Sequence, residues 1–445
     1  MKVLIFGTYF YRFEDIVEAV LQGLAQKFGV SVKVELLMDC ESDLIHFRRL
    51  ELNKHFVDWN SKTEPINTFD LIKEQIFELF WCDQDRHEEY QLRPPSVNAL
   101  KKDIKRIHKC LEDLDASNFD LFICEGGNNF FNRVILHSLG NTNGPRLCFT
   151  SGRVGPSSFI TVTANGVTGY LTNPRNAVLL GQQDESVPTY MSASHPNHRG
   201  LWSKMQHIRD TSLWRDIRAA GYGYRGGHGR PHYKIDRFFL IVYTRFIEVR
   251  SSLLRPYVTW KCKNLGAPKN TKYVVYPEHF RPEASVSARD FSLRNDVENV
   301  SKILSQLPSD IELVYRFHPS YFCKRKIQSL WALLATKNIN FSMPWEPLDR
   351  LIENSEGVVT VSSTVGLDAL RLGKRTIVTG TPEYKEASAE WFLSQSIDRI
   401  NLDRLSEDPS ENHSAILEQV KQFYFPCEIY SQDWVIEAVD RFGLE

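Results

Sequence analysis

No stretch of this 445-residue chain approaches eighteen consecutive apolar residues, so nothing in it predicts a membrane-spanning helix. The best run, FFLIVY at 238–243, is broken by Arg245 two residues on. The eight cysteines (40, 82, 110, 124, 148, 262, 323 and 427) include no C-x-x-C pair, which argues against a structural zinc site and reads as reduced thiols. MKVLIFGTYFYRFED at the N-terminus lacks the length and cleavage pattern of a signal peptide, and a cytoplasmic location is expected. Charge of one sign is lacking too. With 54 Lys+Arg against 55 Asp+Glu the net charge is −1, which argues against a chain that coats nucleic acid. G-x-x-x-x-G-K-[ST] is absent, and GTYFYR after the first strand does not fit G-x-G-x-x-G. A P-loop NTPase is thereby excluded, and NAD or FAD binding disfavoured. H-E-x-x-H is missing as well, and no metal is expected.

What is present is an ordinary globular mix, 42% hydrophobic and 24% charged, about three times the usual single-domain length. Over the first 185 residues strand-like and helix-like patterns alternate. Residues 2–6, 32–37, 119–124 and 146–151 read as strands, and 15–26, 67–81, 97–113 and 128–139 as helices. The same grammar resumes after 270, with strands at 272–277, 312–317, 357–361 and 375–380. Helices lie near 289–306, 324–336, 347–354, 364–372, 412–423 and 432–440. Strands separated by helices imply βαβ units and parallel sheets. The expected fold is therefore α/β, with Rossmann-like units at 1–185 and 271–445 facing an interdomain cleft. This resembles the GT-B architecture, which also serves epimerases and phosphorylases.

Residues 186–270 differ. They contain GYGYRGGHGRPHYK at 221–234, and from position 199 to 272 there are 16 Lys/Arg against 4 Asp/Glu, an excess of 12 positive charges. The stretch reads either as a solvated connector or as a basic flap facing an anionic substrate or membrane surface.

Ligands of parallel sheets bind beyond the carboxyl ends of the strands, and four such ends carry suggestive residues. In CEGGNN at 124–129, Glu125 follows an apolar strand and precedes two glycines. It is placed as a general base or nucleophile, or equally as a helix-entry acid. In TSGRVGPSS at 150–158, Arg153 could grip a carboxylate with two parallel hydrogen bonds, or be a plain loop arginine. In RFHPS at 316–320, Pro319 pins a turn that presents His318 to a phosphate, with Arg316 to one side; a structural histidine is the other reading. In VSSTVGLDAL at 361–370, Ser362, Ser363 and Thr364 precede a helix whose first amides could hold an anion, or only cap it. No D-x-D stands at a predicted strand end, which disfavours a metal-dependent GT-A enzyme.

YPEHFRPEAS (276–285), RFHPS (316–320) and VSSTVGLDALRLGKRTIVTG (361–380) stand in the order and spacing of the capsule polysaccharide biosynthesis family. That family includes bacterial β-Kdo transferases, GT-B enzymes using CMP-Kdo. The match is not complete: Arg281 stands for the usual glutamine, Asp368 for glutamate and Arg375 for proline. SGRVGPSSFITVTANGVTG (151–169) resembles a further segment of the family, with Ser151-Gly152 where that segment has a carboxylate. Cys124-Glu125-Gly126, His318-Pro319 and Ser362-Ser363 loosely resemble a motif trio of bacterial sialyltransferases.

The resemblance implies a CMP-sugar donor carrying an acidic ketose, and a glycan or glycolipid acceptor. Glu283 would hold the ribose or base, His318 with Pro319 the phosphate, and Ser362, Ser363 and Thr364 would cradle it. Arg153, or else Arg281 or Arg316, would face the sugar carboxylate, with Asn128 also at the substrate. Glu125 is the expected catalytic carboxylate and Asp236 the second candidate. Retention of configuration is expected, with an inverting sialyltransferase-like reaction, a UDP-sugar enzyme or a non-catalytic assembly module as alternatives. Peripheral contact with the inner face of an anionic membrane is a further expectation.

Overall fold

In the computed structural model the described residues are 1–7, 13–29, 31–38, 50, 52–59, 96–125, 130–139, 146–154, 157–164, 177–178, 234–262, 268, 271–279, 296–319, 321–380, 382–423 and 432–441. Within them lie two open sheets flanked by helices. The first sheet has strands β1 (Lys2–Gly7), β2 (Lys33–Met38), β3 (Asn53–Phe56), β4 (Leu121–Glu125), β5 (Arg146–Val154), β6 (Ser157–Ala164) and β7 (Ala177–Val178), in the order 3-2-1-4-5-6-7. The second has β8 (Lys272–Pro277), β9 (Ile311–Arg316), β10 (Ile339–Ser342), β11 (Gly357–Thr360), β12 (Thr376–Val378) and β13 (Phe392–Ser394), in the order 10-9-8-11-12-13. All its pairings are parallel. Renumbered within its own unit, that order is 3-2-1-4-5-6, the doubly wound dinucleotide-binding topology.

The expected α/β architecture of two Rossmann-like units is therefore what the chain adopts. Near-continuous apolar runs form the central strands because helices cover both faces. In the first sheet, Val3, Ile5, Leu36, Ile123 and Phe149 face α1 (Phe13–Phe28), while Leu4, Phe6, Phe122 and Cys148 face α2 (Val97–Asp113) and α3 (Phe130–Ser138). The described cysteines (110, 124, 148, 262 and 323) are free thiols.

Three features depart from the sequence reading. β5 runs on to Val154 and pairs antiparallel with β6, so GRV (152–154) forms strand where a loop was expected. The β-branched and aromatic residues of SSFITVTA favour that pairing. The helix α4 (Lys234–Cys262) is 29 residues long, and its second half joins the C-terminal unit. Val258 and Cys262 enter that unit's core, and Ser251 Oγ donates to the Phe322 carbonyl at 3.0 Å.

The third departure is the closing helix α10 (Asp433–Arg441), which packs on the N-terminal sheet rather than ending the C-terminal unit. Its Trp434 lies 5.1 Å, centroid to centroid, from Phe149. Gly23 of α1 permits this approach, since a Cβ there would meet Val435 Cβ at 2.8 Å. The remaining helices are α5 (Asp296–Leu304), α6 (Ile327–Ala335), α7 (Leu348–Glu353), α8 (Val365–Arg371) and α9 (His413–Phe423). The helical stretch expected at 67–81 lies outside the described residues.

Candidate functional site

In the second sheet the winding reverses between β8 and β11, and the crevice beyond their carboxyl ends is the ligand position of such sheets. Glu278 and His279 follow β8; Val361, Ser362 and Ser363 follow β11. The buried His279 ring joins the two ends. Its Nε2 lies 3.2 Å from Thr360 Oγ1 and accepts the Ser362 amide at 3.5 Å. Accepting an N–H leaves the ring proton on Nδ1, which faces Asp296 Oδ1 at 3.9 Å.

Within the serine loop, Thr360 Oγ1 accepts the Ser363 amide at 3.1 Å and Ser363 Oγ accepts the Val365 amide at 3.3 Å. The Tyr384 hydroxyl donates to the Ser363 carbonyl. Gly366 makes room for it, because a Cβ at that position would sit 2.5 Å from the Tyr384 oxygen. The amides of residues 362, 363 and 365 thus already have acceptors, which differs from the cradle of open amides that the sequence suggested. A short loop folded back on its own hydroxyls satisfies its donors locally.

Behind this crevice lies a buried charge cluster. Glu278 Oε2 accepts the His318 amide at 2.7 Å, and Glu278 Oε1 pairs with the Arg325 guanidinium. The same guanidinium reaches Asp296 Oδ2 at 3.1 Å and donates to the Tyr315 hydroxyl at 2.6 Å. Tyr276 donates to Asp296 Oδ1 at 3.1 Å and accepts from Asn299 at 3.1 Å. Two buried carboxylates therefore share one cation. Burial pushes the Glu278 carboxyl up to about 7, with Asp296 adding to the rise and Arg325 and the His318 amide partly offsetting it. Burial alone would lower Arg325, but Glu278, Tyr315 and Asp296 hold its pKa well above the ordinary value.

This cluster positions the His-Pro turn. The Glu278 amide donates to the Arg316 carbonyl at 2.8 Å, and the His318 carbonyl accepts the amides of Tyr321 (3.1 Å) and Phe322 (2.9 Å). His318 is thereby fixed through its main chain, with its side chain half-buried at the tip of β9. Two adjacent residues, Glu278 and His279, link the His318-Pro319 turn to the Ser362-Ser363-Thr364 loop. Helix α8, which follows that loop, contacts β5 of the N-terminal sheet.

Other expected residues fall elsewhere. Arg316 points into the sheet edge, where its guanidinium donates to Ser342 Oγ (2.9 Å) and to the carbonyls of Pro344 (3.0 Å) and Glu346 (2.7 Å). Desolvation lowers its pKa to about 10. Those partners make it a clamp on the loop after β10, because three hydrogen bonds to that loop and to Ser342 engage its guanidinium. Glu125 closes β4, in register with Phe149 of β5, at the reversal point between β1 and β4 of the first sheet. Arg153 lies in β5 opposite Ser158, and Asp236 in the first turn of α4. Asn128, Arg281 and Glu283 lie outside the described residues. Among the described residues no group of three or more His, Cys, Asp or Glu could hold a metal ion.

Sequence reasoning missed Glu278, His279, Asp296, Arg325 and Tyr384. The signal for two of them was present: Glu278-His279 follows an apolar strand directly, as Glu125 does.

A family model described as capsule polysaccharide biosynthesis protein matches residues 145–389. No curated protein matches the chain. Among solved structures, the β-Kdo 2,7 transferase KpsC of Thermosulfurimonas dismutans is similar at 14% identity and TM-score 0.34, over 84% of this chain and 98% of that one. UDP-GlcNAc 2-epimerase of Neisseria meningitidis matches at 13% identity and TM-score 0.26, over all of both chains. The glycosyltransferase SnogD of Streptomyces nogalater matches at 10% and 0.32, over 100% and 99%. At TM-scores this low the likeness carries no argument about this chain.

Proposed function

We propose, from the premise that this chain belongs to the capsule polysaccharide biosynthesis family, that it is a glycosyltransferase which moves an acidic ketose from a CMP-sugar to a surface-glycan acceptor. The observation that carries the reading is the convergence at the reversal point of the second sheet. Buried Glu278 and His279 hold there, side by side, a turn bearing a histidine and a loop bearing three hydroxyls.

A CMP-ketose reacts by breaking the bond between its anomeric carbon and the phosphate oxygen. CMP leaves with the electron pair, and the acceptor oxygen takes its place on carbon as its proton departs. His318 and the hydroxyls of Ser362, Ser363 and Thr364 meet the departing phosphate, and a donor-rich, partly buried site stabilises the charge it gains. Glu283 holds the nucleoside. Arg153, Arg281 and Asn128 serve the sugar, and Glu125 is the carboxylate of the opposite unit, with Asp236 as its alternative. In a retaining transfer of Kdo, which the family resemblance favours, Glu125 stabilises or traps the ketosyl cation. In an inverting transfer it deprotonates the acceptor.

The test is incubation with CMP-Kdo and a panel of glycan and glycolipid acceptors, following CMP release and the configuration of the new linkage. CMP release with a β-linked product supports the reading. Binding of CMP without release across the panel favours a non-catalytic assembly module.

A further inference from the structure

The described part of α4 has two faces. Ile247, Ser251, Val258 and Cys262 are buried. On the other side Phe246, Val249, Leu253, Tyr257 and Trp260 are 61, 61, 75, 44 and 70% exposed. These five large side chains recur at intervals of three or four residues, so they form one stripe, about 21 Å long at 1.5 Å per residue. Ser252 and Pro256 are exposed among them, and no charged residue stands on the stripe. An apolar strip of that length, ending in tyrosine and tryptophan, marks a contact surface.

Charge identifies the partner. Lys261 stands half-buried beside the stripe, Arg250 beside it donates to the carbonyls of Lys324 and Arg325, and the stretch 199–272 to which the helix belongs carries 16 Lys/Arg against 4 Asp/Glu. A second copy would bring two such cationic regions together, which repels, and would set Pro256 in the seam. An anionic bilayer meets both features at once. The apolar side chains enter the headgroup boundary, tryptophan and tyrosine sit at its edge, and the net positive charge of the stretch draws it to the lipid phosphates. None of the described helices is long and apolar enough to cross a membrane, so the contact is in-plane.

We propose that this face of α4 docks the protein on an anionic membrane surface. The inference goes beyond the donor site and needs no turnover, so its failure and that of the transferase reading are separate results.

The experiment is flotation of the full chain with vesicles of phosphatidylcholine alone, or mixed with phosphatidylglycerol, across a salt series. Leu253→Glu/Trp260→Glu, and the milder Leu253→Ser/Trp260→Ser, are compared with the unaltered chain; melting temperature and CMP affinity serve as controls for fold. The expected result is co-flotation with the phosphatidylglycerol vesicles at low salt that declines as salt rises. Each glutamate should weaken it by roughly tenfold or more, with both controls unchanged. No flotation of the unaltered chain, or undiminished flotation of both folded variants, overturns the proposal. A concentration-dependent dimer in sedimentation that the same substitutions split also overturns it, because a second copy then covers the stripe.

Discussion

The backbone amide of His318 donates to Oε2 of Glu278 across 2.7 Å, so the histidine at the tip of β9 is held by a buried carboxylate just past the end of β8. The same carboxylate pairs with Arg325. Removing it therefore acts twice, on the charge cluster and on the turn. Glu278→Ala should cost roughly 3–5 kcal/mol in chemical denaturation, the loss typical of breaking a buried pair. Glu278→Gln, which keeps an acceptor for the His318 amide, should cost less.

The same residue gives stability a pH dependence. Its carboxyl is raised in the folded protein to about 7 from an ordinary 4.5. Between those values the folded state holds a proton that the unfolded state has released. The contribution is fully present below about pH 4.5 and is lost as pH rises through 7, by at most about 3 kcal/mol. Urea unfolding of the unaltered chain and of Glu278→Gln, compared from pH 5 to 8, isolates it. A difference that is flat with pH would contradict the assignment.

Gly366 and Tyr384 form a second coupled pair. Gly366→Ala pushes a methyl against the Tyr384 hydroxyl and should destabilise the serine loop by about 1–3 kcal/mol. Tyr384→Phe removes the oxygen it strikes, so the double variant should lose less than the sum of the singles. Strict additivity would show that the contact is relieved without strain.

Arg316 and His318 separate structure from ligand binding. Arg316→Ala leaves the carbonyls of Pro344 and Glu346 short of a donor. It should lower stability by roughly 2–4 kcal/mol while CMP affinity in the folded protein holds. His318→Ala should do the reverse, with stability kept and CMP affinity down about tenfold to a hundredfold. Calorimetric titration of both variants reads the contrast directly.

The strands that build the two units were legible because both of their faces are buried, so KVLIFG, LFICE and KYVVYP read as apolar runs. β3 and β10 were not. NKHF and INFS are four-residue strands at the edges of their sheets, and β3 has only one apolar side chain. The serine loop and the His-Pro turn could be read from their place at strand ends. What binds them together could not. Glu278 and Arg325 are 47 residues apart in sequence. Arg316 could not be placed from sequence because the groups that engage its guanidinium, at Ser342, Pro344 and Glu346, lie 26 to 30 positions away. The return of Trp434 to Phe149, across 285 positions, has no local signal at all.

The most direct test of the central claim is isothermal titration of the unaltered chain with CMP and, separately, with UDP. The account expects CMP to bind with measurable heat, UDP to bind far more weakly, and His318→Ala to reduce the CMP signal. UDP binding tighter than CMP, or no CMP binding by a folded protein, would contradict it.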